Sequence, residues 1–436
     1  MLISQGKIIE SVNLKIAEKD LIELTENVYK AYGIYSLSAT RTPILRTVKL
    51  GNLPEAEKKL KPETVMAKAR QILMPQNFPP TFRHIVIVPV FNIGAFPFYL
   101  LKPIKDSTMF VERCSYSISP GVYDLIAFKS KADQQRYRVH HSKESDQKVL
   151  FITNPAYPLN GIYQFPDLPG AEQEIMAIKP MVGNFEELKG SHATKEAVLE
   201  KFAYSNIIYF APHGVANPRQ MMDSSFLVLS GEKDPYLTAR EIMNLRDTTI
   251  NHDFYRTENK SFPALAILSA CQTGLGRSMA AGMTGLARSF LLAGSQQVVM
   301  SLWSVDDDAT AFLMSRFMKY LLSPLPDYQP AEAMRRAALD TRKNLPNHRN
   351  GQVLLFLALL KHWNRGIREN RIGIRWLYFL LGSLAYLLSF FQGRILPSSP
   401  NLHGQQNHQC SEAIHRQFFA GNRLYREWQI QGYAPE

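Results

Sequence analysis

Two short stretches carry residue types that can do chemistry together. Ala264 to Gly276 reads ALAILSACQTGLG, an aliphatic run followed by Cys271 just ahead of Gly274 and Gly276. Asn206 to Gly214 reads NIIYFAPHG and sets His213 at the matching place after its own apolar run. A thiol attacks as the thiolate, so it needs a base or an imidazolium partner. Such partners meet in space whatever their separation along the chain. If the two runs are adjacent parallel strands, both side chains emerge at one sheet edge, where α/β proteins place reactive groups. For Cys271 alone, the plainer alternative is a small buried hydrophobe, the usual state of a free cysteine.

The elements that must position this pair follow from periodicity. Apolar strand-like runs occur at His84–Val90, Lys148–Asn154, Asn206–Ala211, Ala264–Leu268 and Gln297–Trp303. Helical text lies between or beside them. Leu21, Leu24 and Val28 share one face of a helix near Ile16–Ala31. A helix begins near Gly170, with Ile175, Met176 and Ile178 as its apolar face, and Thr194 caps another with Ala197, Val198 and Phe202 inward. Further helices are expected at Pro62–Leu73, Thr238–Leu245, Met283–Ala293 (closed by Gly294), Asp306–Leu322 and Ala331–Lys343. Val111 to Asp146 reads as irregular. Strand and helix alternate, and the strands are apolar on both faces, which predicts a mostly parallel sheet with helices on each side. His213, Cys271 and the aspartates Asp306, Asp307 and Asp308 each follow a strand of that sheet, so they should gather at one edge.

Composition narrows the function class. The chain has 436 residues and a formal net charge of +12. From Thr341 onward there are 12 Lys and Arg against 4 Asp and Glu, so the basic character belongs to the tail. A nearly balanced core argues against nucleic-acid binding there. Three cysteines, Cys114, Cys271 and Cys410, fit no disulfide framework or CxxC site, which suggests a reducing compartment. Met1 to Asp20 lacks the apolar core of a signal peptide, so a cytoplasmic location is the expectation. No His, Cys and carboxylate cluster has metal-ligand spacing, and GLGRSMAAGMTG lacks the GK[ST] ending of a phosphate loop. No cofactor or metal is expected.

The motifs HIVIVPV, FPFYLL, LPGAEQE, ATKEAVLEKF, the His213–Gly214 pair, LTAREI, LSACQTGLG, GLARSFLLAGSQQVVMSLWSVDDDAT and AEAMRRAALDTR, in that order, resemble a CHAT domain. That family is similar to caspases and the wider caspase-like cysteine peptidases. The likeness runs over about residues 62–343. It implies a caspase-like three-layer α/β/α sandwich and peptide-bond hydrolysis by a Cys–His dyad, with His213 and Cys271 at the dyad positions. The backbone N–H groups of Gly214 and Cys271 would then form the oxyanion hole. Protein or peptide substrates follow, along with an unidentified regulatory partner. The alternative is a catalytically silent scaffold or signalling module. Asp306, nearest its strand, with Asp307, and Ser269, two residues before the thiol, are expected to line the pocket for the substrate residue before the cut. A carboxylate there favours Lys or Arg. One of the aspartates would instead simply suit the helix start.

This organisation gives a helical segment at 1–61, a peptidase domain at 62–345 and a basic tail at 346–436. In the tail, Val353–Leu360 and Trp376–Gly393 are strongly apolar. The second holds 18 uncharged residues between Arg375 and Arg394, at the short end for a membrane span, with aromatic residues at its ends. Three readings stand for it: a membrane anchor, a helix docked on the core, or the unselected translation of an altered reading frame.

Overall fold

The computed structural model describes residues 2–4, 7–11, 16–31, 61–74, 82–89, 96–102, 108–119, 121, 148–159, 165–202, 204–215, 222–245, 262–269, 278–279, 282–283, 285–301, 307–323, 330–345 and 356–360. Strands β1 (Leu2–Ser4) and β2 (Lys7–Glu10) form an N-terminal hairpin, followed by the Glu18–Ala31 and Pro62–Leu73 helices. Strands β3 (His84–Ile87), β4 (Ser115–Ile118), β5 (Lys148–Pro155), β6 (Asn184–Gly190) and β7 (Ile207–Ala211) come next. Short strands β8 (Gly214–Val215), β9 (Phe226–Val228) and β10 (Tyr236–Thr238) follow, then β11 (Leu265–Leu268). A two-residue pair, β12 (Ser278–Met279) and β13 (Gly282–Met283), precedes β14 (Gln297–Ser301) and β15 (Phe356–Leu360).

Eight strands make one sheet in the order β3-β4-β15-β14-β11-β7-β5-β6. The five from β14 to β6 run parallel. At β15 the direction reverses, and β4 and β3 keep that reversed direction. The sheet is mixed but mostly parallel, as the alternating strand and helix text predicts.

Helices cover both faces. On one face Phe202 of helix Lys195–Phe202 and Phe290 of helix Leu286–Ala293 close over Phe210 of β7, with ring centroids 6.0 and 5.6 Å away. On the other, helix Pro169–Ile178 lies over Phe151 and Tyr209 and packs beside helix Asp307–Leu321. Helix Pro330–Asn344 extends that layer, tied by Tyr320 Oη donating to Asp340 at 2.7 Å. β5, β7 and β11 contribute fully buried Leu150, Phe151, Ile208, Tyr209, Phe210, Ala266 and Ile267 to one core. Burying each large apolar side chain is worth roughly 1.5–3 kcal/mol, so the central strands are the most firmly held part of the molecule. The N-terminal helix belongs to the same core, through Leu21, Leu24 and Val28 against Val65, Met66 and Ala69.

The local punctuation has clear causes. Thr194 caps its helix, accepting the Ala197 N–H at 3.2 Å. Gly294 takes φ 149°, and a Cβ there would stand 2.8 Å from the Phe262 Cβ, so only glycine closes that helix into β14.

Four expectations need correction. Met176 is 68 % exposed, whereas Ile175 and Ile178 are buried, so the inward face of that helix is narrower than its apolar text. The stretch from Val111 is not wholly irregular, since helix Phe110–Arg113 and β4 lie at its start. β6, reading NFEELKG, falls where no strand is expected. A domain end at 345 also leaves out β15, which pairs with β14 through five residues and sits inside the sheet. The apolar text 353–360, assigned above to the tail, therefore supplies a strand. Residues 376–393 lie outside the described residues. Among the described residues no helix is long and apolar enough to cross a membrane.

Candidate active site

β7 and β11 are adjacent and parallel, with Phe210 level with Leu268. The Ser269 N–H extends the ladder by one step, donating to the Phe210 carbonyl at 2.8 Å. His213 stands three positions after Phe210 and Cys271 three positions after Leu268. Cys271 and Asp306 lie outside the described residues, as do the side chains of Asp307 and Asp308, the first two residues of helix Asp307–Leu321. β14, which leads to those aspartates, lies directly beside β11.

His213 is held from several sides. Its carbonyl accepts the Val228 N–H at 2.9 Å, tying it to β9. Its N–H donates to the Tyr157 hydroxyl at 3.3 Å. The imidazole packs against two aromatic rings, Tyr157 at 4.9 Å and Phe165 at 5.3 Å between centroids. Its Nε2 lies 2.7 Å from the Pro166 carbonyl oxygen. A carbonyl only accepts, so Nε2 carries the proton and, in the neutral ring, Nδ1 keeps its lone pair. No described residue hydrogen-bonds to Nδ1. Burial lowers the imidazole's pKa, with the Pro166 carbonyl working the other way, so the neutral ring persists below its ordinary range.

Gly214 opens β8, the outer strand of the small β10-β9-β8 sheet. It faces Leu227, and the ladder bond beside it runs from the Val228 N–H to the His213 carbonyl. In this antiparallel alternation the Gly214 N–H points away from β9, off the edge of that sheet.

Ser269 is half-buried. Its register partner in β7 is the small Ala211, whose neighbour in β5 is Thr153. The Thr153 hydroxyl is buried and meets no hydrogen-bond partner among the described residues, and the buried Ser269 hydroxyl lies near the Tyr209 hydroxyl. Below this row the buried Tyr209 hydroxyl donates to Glu174 at 2.5 Å. Burial and the Glu174 carboxylate push the Tyr209 pKa well up.

Sequence reasoning missed the loop after β5. Tyr157, Phe165 and Pro166 all come from it, and no nucleophile or base among them announces a role. The LPGAEQE text marks the helix that follows the loop, but it points to no contact with a histidine.

Residues 63–383 match the family model of the CHAT domain. The chain belongs to the CHAT family. This CHAT domain is also 25% identical, over 279 residues, to mouse tetratricopeptide repeat protein 28, covering 56% of this chain and 11% of that protein. The human protein of that name is 25% identical over 272 residues, with the same coverage. The chain thus spans about a tenth of the length of these curated relatives. Among solved structures it is similar to the Arg-specific cysteine proteinase gingipain R, with a TM-score of 0.44 and 8% identity over 79% of this chain and 75% of that one. It is also similar to the separase–securin complex of Saccharomyces cerevisiae, with a TM-score of 0.34 and 11% identity over 56% and 14%.

Proposed function

We propose that this CHAT domain is a cysteine endopeptidase in which His213 serves Cys271. The observation that carries the reading is the register of β7 and β11: Phe210 is level with Leu268, and His213 and Cys271 each follow three positions later in the sequence. The Pro166 carbonyl supports it by fixing the proton on Nε2, which leaves the Nδ1 lone pair without a partner among the described residues.

In this reading Nδ1 takes the thiol proton as sulfur attacks the substrate carbonyl carbon. The tetrahedral oxyanion is received by backbone N–H groups, that of Gly214 first and that of Cys271 beside it. As the C–N bond breaks, the imidazolium returns its proton to the departing amine, leaving a thioester. Water, deprotonated by the same Nδ1, then releases the acid and restores the thiol. The lowered His213 pKa suits a neutral base better than a preformed ion pair.

The substrate is a protein or peptide cut after a basic residue. Ser269 lines the pocket with the Thr153 hydroxyl, which has no partner among the described residues, and Asp306 and Asp307 supply the charge. The protein works in the cytoplasm, and residues 376–393 anchor it to a membrane.

The test is an electrophilic peptide probe read by intact mass. The expected result is a single adduct on the wild type, faster with Lys or Arg than with Asp in the leading position, and none on Cys271→Ala. Equal labelling of Cys271→Ala, or none of the folded wild type by any probe, would favour the silent scaffold. Preference for the Asp probe would reject the acidic pocket while leaving the dyad intact.

A further inference from the structure

We propose that Asn154 is a positioning residue for His213, acting by clasping shut the loop that holds the imidazole. The inference rests on the reading of His213 as the base. Tyr157, Phe165 and Pro166, the three residues that grip His213, all lie between Asn154 and Leu168. Asn154 joins the two ends of that span. Its Oδ1 accepts the Leu168 N–H at 3.0 Å, and its Nδ2 donates to Glu172 Oε1 at 2.9 Å. The other Glu172 oxygen takes Lys189 of β6 at 2.8 Å, so the clasp is moored to the sheet. Leu168 in turn packs against the cluster of Tyr157, Phe165, Phe226 and Val228.

The backbone marks the same residue. Asn154 has φ 38°, the only positive φ at a non-glycine residue among the described residues. Asparagine tolerates that conformation better than most residues, and strained positions of this kind collect near functional sites. The bend shifts the register with β6 one residue before the end of β5, and the chain then runs out toward Tyr157 and His213. Without the clasp, the loop ends are held only by the looser packing of Leu168 and of the following helix, and ordering the loop costs more entropy. A looser loop lets the Pro166 carbonyl drift from Nε2. The ring then loses the bond that fixes which nitrogen carries the proton.

The first readout is the His213 ring itself, observed by nitrogen-15 NMR in a Cys271→Ala background at neutral pH. The expected parent spectrum is a neutral ring protonated at Nε2. Asn154→Gly keeps the backbone freedom and deletes both side-chain bonds, so it should give a mixture of tautomers. Glu172→Gln removes the charge that orders Nδ2 and should give a partial version, useful if the glycine variant folds poorly. The second readout is alkylation of Cys271 against pH in the otherwise wild-type chain. There Asn154→Gly should slow the reaction up to about a hundredfold. It should also move the acid limb up toward histidine's ordinary value as the ring becomes wetter. Among the described residues, Tyr157 and Asp167 are titratable groups close by. A wild-type tautomer and pH profile in Asn154→Gly would overturn the proposal, as would ring changes that appear only with global unfolding. The NMR readout does not use the thiol, so it judges the clasp even if Cys271 proves unreactive.

Discussion

Two histidines, His84 on a strand of the eight-stranded sheet and His213 just past another, have rings that the fold treats oppositely. His84 lies on β3, the outer strand of the reversed part. Its Nδ1 and Nε2 each lie 2.9 Å from a serine hydroxyl, Ser115 and Ser117. Ser115 donates onward to the Arg83 carbonyl at 3.2 Å, so it accepts from Nδ1–H, and Nε2 must accept from Ser117. Both nitrogens are used up inside the fold. His213 follows β7 in the parallel part, and among the described residues only its Nε2 is engaged. Burial lowers both pKa values, that of His84 to about 4 even with Glu332 nearby working to raise it. The direction of the shift therefore does not distinguish a structural histidine from a chemical one. The two rings differ in how many of their nitrogens the described residues engage.

The largest expected effect comes from removing the strand that joins the two parts. β15 stands between β14 and β4, so a chain ending at 345 loses the seam, while one ending at 366 keeps it. The shorter chain should show no cooperative thermal transition by circular dichroism. Equal melting of the two would mean that the parts fold independently, and the comparison would then be between two separate units.

The next effect is on chemistry. His213→Ala should slow probe labelling of Cys271 by about 10²–10⁴-fold, the usual worth of a positioned base. His84→Gln should change it by less than about threefold at a temperature where the variant is folded. If His84→Gln were as slow as His213→Ala, occupancy of the ring nitrogens would not be the distinguishing feature.

Stability against acid reverses the ranking. A histidine whose folded pKa lies below its unfolded value binds fewer protons in the native state. Stability is therefore full above pH 6.5 and falls as pH drops through about 4. His84 should account for at most about 3 kcal/mol of that loss. Urea unfolding of His84→Phe at a series of pH values should show a flatter slope between pH 6.5 and 4 than the wild type. An unchanged slope would place the acid-sensitive group elsewhere.

The contrast between the two parts also explains what could be read in advance. β5, β7, β11 and β14 are apolar on both faces, and the text marks each within a few residues. β4 reads SYSI, with buried serines whose hydroxyls serve His84, and polar text conceals a strand when its partners lie elsewhere. β6 is an outer strand whose Glu186 and Glu187 pair with lysines, so it shows no apolar run. β15 was apolar enough to be noticed but was assigned to the tail, because nothing in FLALL shows that it pairs with β14. At the site, His213 and Ser269 are legible as residues just past apolar strands. Tyr157, Phe165 and Pro166 are not, because a carbonyl oxygen and two ring faces carry no mark of residue type. Asn154 had the one local signal, an Asn-Pro pair that fits a turn.

The smallest effect concerns single hydroxyls that serve each ring. Ser117 is fully buried, and its hydroxyl is the donor to His84 Nε2. Ser117→Ala leaves a buried acceptor unmet, a loss of about 1–3 kcal/mol with no change in labelling. The Tyr157 hydroxyl instead accepts a long 3.3 Å bond from the half-buried His213 backbone N–H. Tyr157→Phe keeps the ring that packs on the imidazole and leaves the Pro166 carbonyl in place. Water can reach a half-buried N–H, so the loss should be at or below about 0.5–1.5 kcal/mol, the usual net worth of one bond. Labelling should fall by less than about threefold, far less than for His213→Ala. Denaturant midpoints and labelling rates for the two variants together give the test. A larger loss of labelling for Tyr157→Phe would mean that the hydroxyl, rather than the ring and the carbonyl, sets the position of His213. Equal stability losses in the two variants would mean that the His213 site is as closed to water as the His84 site, and a spare nitrogen there would then have no access to substrate.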